Sequence, residues 1–185
     1  GEGGPSSVGA GAGAFLSSSV SDPPAAAAAA SAKKKRSKRI VRQNARGSRG
    51  GEYPILQFDG GSRGNPGKAG AGVVLLSPEG EVLHKKSLFL GDRVTSNQAE
   101  YQALIMGLQL GLDLGYTKLE VEGDSNLVVN QVSGQWRINN RELKILRRKV
   151  EDVLQHMEDV VMRHIPREEN KIADGLANEA MDSGS

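Results

Sequence analysis

The order of hydrophobic patterns across residues 53–181 restricts the fold more than any other feature of this chain. Three strand-like segments come first, and two further strands then alternate with helical patterns. Consecutive strands favour antiparallel hairpins, whereas strands separated by helices favour parallel pairing. The sequence therefore predicts an α/β domain whose five-stranded mixed sheet is flanked by helices.

Five strands and four helices account for this order. We expect strands at residues 53–58, 71–77, 81–90, 118–123 and 159–165, and helices at residues 96–114, 125–134, 140–155 and 170–181. Ser96 is a candidate cap for the first helix, and Asp124 or Ser125 is one for the second. The glycine-rich segment GGSRGNPGKAG, between the first two strands, is expected to be a loop.

A change of composition separates residues 1–50 from residues 51–185. Gly, Ala, Ser and Pro make up 26 of the first 32 residues, so this segment has too little apolar surface to offset its ordering entropy. Residues 1–50 carry a net charge of +7, whereas residues 51–185 carry −5. We therefore expect a disordered low-complexity and basic tail over residues 1–50 and a folded domain over residues 51–185.

Residues 33–49 form a basic segment with nine Lys and Arg residues and no acid. Three interpretations stay open: a solvated linker, a nuclear-import signal, or a tether that binds nucleic-acid phosphates. The Ser- and Ala-rich leader also resembles an organelle transit peptide, so the nucleus, the chloroplast and the mitochondrion all stay open. The chain has no cysteine for a disulfide or a thiolate zinc site. No apolar run reaches the roughly 20 residues that a membrane helix needs.

Four acidic residues occupy notable positions. Asp59 is expected at the end of the first strand and Asp124 at the end of the fourth, and parallel pairing would place both at one sheet edge. Glu100 lies on the core-facing side of the long helix, and Asp174 in the first turn of the last helix. The positions stacked with Glu100 are all apolar or small: Ala103, Leu104, Gly107, Leu108 and Gly111. Taken singly, Asp124 is also a good N-cap, and Asp174 also suits the helix dipole.

Four carboxylates at one edge would repel one another unless a cation lies between them. Oxygen-only ligands favour Mg²⁺ or Mn²⁺ over zinc. Two such ions about 4 Å apart support the in-line attack of water on a phosphodiester. The segment GNPGKAG is not a phosphate loop, because Ser62 replaces the required glycine and Lys68 precedes Ala69. The acids therefore indicate metal-dependent hydrolysis.

Four blocks of the domain resemble the signature blocks of type 1 ribonuclease H in residue type, order and spacing. They are FDGGSRGNPG, TSNQAEYQAL, VEGDSNLVVNQVSG and HIPREENKIADGLANEA. The resemblance implies a ribonuclease H-like fold with strand order 3-2-1-4-5. It also implies a metal-dependent endonuclease that hydrolyses the RNA strand of RNA–DNA hybrids by a two-metal mechanism, leaving a 3′-hydroxyl and a 5′-phosphate.

The resemblance assigns catalytic roles to five residues. Four acids would hold two Mg²⁺ ions, with Mn²⁺ as an alternative: Asp59, Glu100, Asp124 and Asp174. His164 would move protons or help to release product. Without the resemblance, His164 would be interpreted as an ordinary packed or solvent-facing histidine at a strand end.

Six further positions match substrate contacts of the family: Gly64, Asn65, Thr95, Asn97, Asn126 and Trp136. The glycine and the asparagines would lie against the RNA minor groove, where 2′-hydroxyls distinguish RNA from DNA. The threonine would belong to a phosphate pocket for the DNA strand. The tryptophan would line the channel for the DNA strand, and a plain core residue is an equal alternative.

Two departures from the family concern how the substrate is held. No basic protrusion follows Trp136, and no separate hybrid-binding domain is visible in residues 1–50. Because the folded domain is net acidic, residues 33–49 are candidates for contacting phosphates. Two alternatives to an active hybrid nuclease stay open. One is a catalytically silent RNA- or hybrid-binding module, and the other is a different superfamily nuclease, such as a 3′–5′ exonuclease or a junction resolvase. We expect a monomer.

Overall fold

The computed structural model describes residues 41–43 and 51–184, and a six-stranded mixed sheet forms their centre. The strands are β1 (Val41–Gln43), β2 (Ile55–Gly64), β3 (Gly67–Leu76), β4 (Val82–Val94), β5 (Lys118–Gly123) and β6 (Asp159–His164). The helices are α1 (Ser96–Asp113), α2 (Asn126–Val132), α3 (Arg141–Leu154) and α4 (Lys171–Ser183), with a 3-10 turn at Arg167–Glu169. Within these residues, no helix combines the length and the apolar character that crossing a membrane requires.

The strand order across the sheet is β1-β6-β5-β2-β3-β4. β2, β3 and β4 pair antiparallel as a meander, whereas β2, β5 and β6 pair in parallel. Counted without β1, this is the predicted order 3-2-1-4-5, so the predicted sheet topology is confirmed. The carboxyl ends of the three parallel strands meet at one edge, which is where open α/β sheets hold their sites.

β1 is an addition that the sequence does not predict, because its residues fall inside the expected tail. β1 pairs in parallel with β6, and Val41 is buried in the main core. Arg42 binds the Asp159 carboxylate, with 2.6 Å between Nη2 and Oδ2. A strand of three residues has no periodicity of its own, so only its packing against β6 reveals it. The rest of the expected tail lies outside the described residues, and a domain boundary at residue 51 stays a prediction.

The segment expected to be a glycine-rich loop is instead the end of a long β2–β3 hairpin. Antiparallel pairing continues along β2 until Gly64 lies opposite Gly67, which leaves only a two-residue turn. Asp59 therefore does not end β2, contrary to the prediction. It lies just beyond the part of β2 that pairs with β5, because the parallel register stops at Phe58 opposite Gly123.

Helices cover both faces of this sheet. α1, α2 and α3 pack on one face, where Leu56 and Val73 meet Leu104 of α1 in the main core. α4 packs on the other face, directly against the backbone of β3. A Cβ atom at Gly72 would lie only 2.3 Å from the carbonyl oxygen of Ala173. This close approach explains why glycines interrupt the strand and make it resemble a loop in sequence.

The N-terminal cap of α1 differs from the expected one. Thr95, not Ser96, is the N-cap, and its hydroxyl accepts a hydrogen bond from the N–H of Gln98 at 3.2 Å. The Gln98 side chain accepts in return from the N–H of Thr95 at 2.9 Å. This reciprocal capping box fixes the residue at which α1 begins. For α2, Ser125 is the cap, as one of the two expected alternatives.

Candidate active site

Three acidic side chains from separate elements converge at the edge of the sheet. Asp59 comes from β2, Glu100 from α1, and Asp124 from the residue after β5. One carboxylate oxygen of each lies within 4.8 Å of the other two. The sequence predicts this convergence, because it indicates parallel pairing of β2 with β5 and places Glu100 on the inward face of α1.

Glu100 reaches Asp59 because the first turns of α1 cross the backbone of β2. The N–H of Gly60 donates a hydrogen bond to Glu100 Oε2 at 3.2 Å. The capping box at Thr95 sets the start of α1 and therefore the turn on which Glu100 lies. The two carboxylates are thus positioned by backbone contacts of the elements that carry them.

Asp174 lies in the first turn of α4 and lines the same cavity, whose volume is about 460 Å³. It is not one of the three acids that lie within 4.8 Å of each other. Its carboxylate interacts with that of Asp59. It also faces the guanidinium of Arg167, with 3.5 Å between Nη2 and Asp174 Oδ1. The structure therefore brings all four predicted acids to one cavity, three of them in a close cluster.

His164 ends β6 beside the cluster. The register of β5 and β6 places it opposite Gly123, and its Nε2 lies 3.1 Å from the carbonyl oxygen of Asp124. The ring is half-buried and lines the cavity. An imidazole at this place can exchange protons with groups that enter the cavity.

Burial and neighbouring negative charge raise the pKa values of Asp59 and Glu100. Burial raises the pKa of Asp59 to about 8, and the negative charge of Asp124 is the next cause. Burial, followed by the charge of Asp59, holds the pKa of Glu100 well above its ordinary value. A cluster of this kind retains protons near neutral pH unless a cation is present. Such an oxygen-only set fits a hard divalent cation such as Mg²⁺ or Mn²⁺.

Comparisons with known proteins agree with this geometry. A family model described as reverse transcriptase-like matches residues 57–180. Ribonuclease HI of Halobacterium salinarum is 43% identical over 142 residues, which cover 77% of this chain and 69% of that protein. This chain belongs to the type 1 ribonuclease H family.

Solved structures of ribonuclease H1 proteins share the fold. RNase H1 from Halobacterium salinarum matches with a TM-score of 0.68 and 41% identity, covering 71% of this chain and 98% of that one. LC11-RNase H1, solved in complex with an RNA/DNA hybrid, matches with a TM-score of 0.67 and 40% identity, covering 70% of this chain and 96% of that one. The predicted ribonuclease H-like fold is confirmed. The chain is a ribonuclease H1 homologue whose acidic cluster is consistent with a metal-dependent active site.

Some relatives of this ribonuclease H chain are much longer. The bifunctional protein Rv2228c of Mycobacterium tuberculosis is 38% identical over 131 residues, which cover 71% of this chain. Those residues are only 36% of Rv2228c itself. The similarity therefore concerns the ribonuclease H domain and not the remainder of that protein.

Two of the substrate positions matched to the ribonuclease H family lie at the β2–β3 turn. Gly64 has a φ of 104°, a left-handed conformation that favours glycine. Asn65 follows it, and its Oδ1 accepts a hydrogen bond from the N–H of Ser96 at 3.2 Å. The turn is therefore tied to the N-terminus of α1.

Three more of these positions lie at helix starts. Thr95 caps α1, and Asn97 is exposed in the first turn of the same helix. Asn126 is exposed at the start of α2, where its Oδ1 accepts from Nδ2 of Asn130 at 2.7 Å. The N–H groups at the start of α1 make this end of the helix suitable for an anion.

Trp136, the last of the matched positions, lies in the connection between α2 and α3. It is 47% exposed, so the alternative of a plain core residue is wrong. Its backbone N–H donates to the carbonyl oxygen of Asn130 at 3.1 Å, which anchors the connection. An exposed indole in this place is available for contact with another molecule.

Three polar residues that the sequence does not single out also line the cavity: Arg63, Arg167 and Asn178. Arg167 lies in the short segment between His164 and Asp174, and a cation between two predicted site residues is a signal that could have identified it. Arg63 carries the same signal, because it lies between Asp59 and Gly64, whereas Asn178 carries none. Arg63 becomes part of the cavity only through the hairpin. Asn178 becomes part of it through the hydrogen bond that its Nδ2 donates to the Asp174 carbonyl oxygen at 3.0 Å.

Proposed function

We propose that this chain is a divalent-metal-dependent endonuclease that hydrolyses the RNA strand of RNA–DNA hybrids, leaving 3′-hydroxyl and 5′-phosphate ends. One observation carries the proposal. Asp59, Glu100 and Asp124 hold carboxylate oxygens within 4.8 Å of one another, on the fold of a family with a member solved bound to an RNA/DNA hybrid. The substrate class is inferred from that relative, and the chemistry is inferred from the acids of this chain.

Four acids would hold two Mg²⁺ ions, with Mn²⁺ as an alternative: Asp59, Glu100, Asp124 and Asp174. Bound ions of this kind activate water and neutralise the charge that develops on the leaving oxygen. The chain contributes by holding the carboxylates on four different elements, β2, α1, the end of β5, and α4. Because Asp59 is only 6% exposed, bulk water screens its charge little, and its attraction for a cation is correspondingly strong.

His164 would receive and release protons beside this cluster. With a proton on Nε2, the ring donates to the Asp124 carbonyl oxygen at 3.1 Å, and Nδ1 is then the atom that accepts a proton. Arg167 would balance the charge of Asp174 from 3.5 Å away. In this proposal the histidine assists the reaction, whereas the acids are indispensable to it.

Contacts with the RNA strand would come from four residues: Gly64, Asn65, Asn97 and Asn126. A protein distinguishes RNA from DNA at the 2′-hydroxyl, which is both a donor and an acceptor. Asn65 already uses its Oδ1 to bind the N–H of Ser96. Its NH₂ group is therefore the part that would donate to the RNA strand.

Contacts with the DNA strand would come from Thr95 and Trp136. Thr95 caps α1, and a helix N-terminus favours a phosphate through its N–H groups and its dipole. Trp136 offers an exposed indole surface against which a sugar or a base can pack. The basic residues 33–49 would add attraction for phosphates that does not depend on sequence.

A panel of labelled nucleic acids tests the proposal. The full chain is incubated in Mg²⁺ with an RNA–DNA hybrid, a double-stranded RNA, a double-stranded DNA or a four-way junction. We expect cleavage of the RNA strand of the hybrid alone, and no cleavage when EDTA removes the divalent ions. Asp124→Asn, purified in the same way, is the control for contaminating nucleases.

Other outcomes of this panel favour the alternatives. Hybrid that is bound but not cleaved, in Mg²⁺ and in Mn²⁺, would support a silent binding module. Cleavage of the junction or of double-stranded DNA would support another nuclease of the superfamily. Light scattering on the same sample checks the expected monomer, which stays a prediction.

A further inference from the structure

Asn170 connects the two chain segments that carry Asp59 and Asp174. Its Nδ2 donates a hydrogen bond to the carbonyl oxygen of Phe58 at 2.9 Å, and Phe58 immediately precedes Asp59. The carbonyl oxygen of Asn170 accepts from the N–H of Asp174 at 3.1 Å. Asn170 is 0% exposed, so water does not compete for either bond. A single buried residue therefore joins the strand and the helix that supply two of the four acids.

The bond to Phe58 lies where strand pairing stops. Parallel pairing of β2 with β5 ends at Phe58, opposite Gly123. The Asn170 amide binds the β2 backbone at that point. A second and longer contact joins the same segments, since Gln57 Nε2 donates to the carbonyl oxygen of Glu169 at 3.4 Å. The start of α4 is thus attached to β2 immediately before the active-site aspartate.

Asn170 does not use its side chain as the helix cap that its position suggests. It is the N-cap residue of α4 but makes no side-chain capping bond. Asn140, the N-cap of α3, accepts from the N–H of Leu143 at 3.0 Å, as an asparagine in this position usually does. Among residues 41–43 and 51–184, the buried Oδ1 of Asn170 has no hydrogen-bond partner.

This arrangement reduces the stability of the helix start. A missing cap and an unsatisfied buried acceptor are both unfavourable. Such departures from local rules are typical of functional sites, where geometry matters more than stability. The bond from Asn170 to Phe58 is the interaction that takes the place of the cap.

We propose that Asn170 is a positioning residue that holds Asp174 at a fixed place relative to Asp59. The inference rests on the proposed function, because a shared cation site is what requires the distance between these two carboxylates to stay constant. Ligands of such a site must be held to within about 0.5 Å of the productive geometry. Packing against Gly72 fixes the distance between α4 and the sheet. The bond from Asn170 to Phe58 fixes the first turn of α4 relative to β2.

Asn170→Ala tests this role, because it removes the bond to Phe58 and the unsatisfied acceptor together. Mn²⁺ binding is measured by calorimetry without substrate, and kcat and KM are measured on an RNA–DNA hybrid at saturating Mg²⁺. Because loss of a residue that orients metal ligands typically costs 10–100-fold in metal affinity or activity, we expect a loss of about tenfold or more in Mn²⁺ affinity and in kcat. KM should stay unchanged, because the buried Asn170 side chain cannot touch the substrate.

Asn140→Ala is the matched control, because the same residue type caps a helix with a side chain that does not line the cavity. It should lower the Tm but leave Mn²⁺ affinity and kcat at wild-type values below the unfolding transition. If Asn170→Ala does not fold, Asn170→Ser provides the same comparison, since serine can cap α4 but is too short to reproduce the amide bond.

Wild-type Mn²⁺ affinity and kcat in the Asn170 variant would overturn the proposal. Equal losses in the Asn170 and Asn140 variants would overturn it too, because they would reflect stability alone. If the wild-type chain cleaves no hybrid, the proposed function fails, and the Mn²⁺ titration still decides whether Asn170 supports the cation site. A wild-type chain that binds no Mn²⁺ would refute the positioning role as well.

Discussion

Gly60 lies so close to Ala99 that no side chain fits between β2 and α1. A Cβ atom at Gly60 would be 2.2 Å from both the carbonyl carbon and the carbonyl oxygen of Ala99. Asp59 precedes this glycine and Glu100 follows this alanine, so the contact decides how near two of the clustered carboxylates come. The glycine is therefore a requirement of the site and not only of the strand.

Gly60→Ala should separate α1 from β2 and inactivate the protein. Overpacking of this kind costs roughly 1–3 kcal/mol of stability, and a displacement of about 1 Å at a reacting centre can cost about 100-fold in rate. We expect a lower free energy of unfolding in urea and a loss of hybrid cleavage of at least about 100-fold. Wild-type cleavage by this variant would show that the contact does not position Glu100.

Gly175→Ala is the matched control for that variant. Gly175 lies in α4 next to Asp174, and a Cβ atom there meets nothing within 4 Å. Alanine is favoured over glycine inside a helix by roughly 0.5–1 kcal/mol. We expect an unchanged or higher Tm and wild-type cleavage, so a damaging effect here would indicate that any change in this region is harmful.

Asp59→Asn should nearly abolish cleavage while the fold is kept. Loss of a metal ligand removes several kcal/mol of transition-state stabilisation, so we expect at least about a 1,000-fold loss of kcat in Mg²⁺. Asp152→Asn, on the exposed side of α3, should have no effect. Turnover of the Asp59 variant at the wild-type rate would rule out a metal role for this residue.

The stability of the protein in EDTA should depend on pH through Asp59. Its pKa is raised from 3.8 to about 8 in the folded state, chiefly by burial and next by the charge of Asp124. Between these two values Asp59 is protonated in the folded protein and ionised in the unfolded chain, so its contribution to stability is fully present below about pH 4 and is lost as the pH rises through about 8. Tm in EDTA should therefore fall across this range, and Asp59→Asn should reduce the fall. An equally steep fall in the variant would show that other groups are responsible.

His164→Ala should slow cleavage less than Asp59→Asn does. A general acid or base typically contributes about 100-fold or more, and water can take over part of its role. We expect a loss of about 100-fold in kcat with Mn²⁺ affinity retained. The control is His156→Ala, because His156 is an exposed histidine that follows α3. A complete loss of activity in the His164 variant, equal to that of Asp59→Asn, would contradict an assisting role.

Periodicity and strand order were sufficient to predict most of the architecture. Glu100 could be assigned to the core-facing side of α1 because the residues stacked on it are small or apolar, and Asp124 could be placed beside Asp59 because parallel strands share an edge. These inferences depend on the local hydrophobic pattern and on the order of strands and helices, both of which can be obtained from a single sequence.

Tertiary contacts explain what the sequence did not reveal. The segment after Asp59 has loop composition, yet it pairs as a hairpin, and glycines of β3 allow α4 to pack closely against that strand. β1 is too short to show a pattern and exists through its contact with β6. Asn170 precedes its helix as an ordinary cap does, and only the structure shows that it is buried, makes no capping bond and binds Phe58 instead, unlike Asn140.

The basic segment can be tested without removing β1. Deleting residues 1–38 removes Lys33, Lys34, Lys35, Arg36 and Lys38 but retains Val41–Gln43. If these residues bind phosphates, KM for a long hybrid should rise and kcat should stay nearly constant. The salt slope of log affinity should become shallower by roughly 0.9 for each phosphate that the deleted residues neutralise. An unchanged KM and salt slope at low salt would favour a solvated linker or an import signal instead.

A longer deletion, of residues 1–50, should have a second effect. It also removes β1. The buried side chain of Val41 and the ion pair between Arg42 and Asp159 are then lost. We expect a lower Tm than for the deletion of residues 1–38, measured in the same buffer. Equal Tm values for the two deletions would show that β1 contributes little to the stability of the sheet.

The chemistry of the cleaved ends is the most direct test of the central claim. A hybrid with a labelled RNA strand is cut in Mg²⁺, and the new ends are identified by mass spectrometry. Metal-dependent attack of water on the phosphodiester should leave 5′-phosphate and 3′-hydroxyl ends only, and the reaction should stop in EDTA and in Asp59→Asn. Cyclic or 3′-phosphate ends, or cleavage that persists in EDTA, would contradict hydrolysis at the acidic cluster.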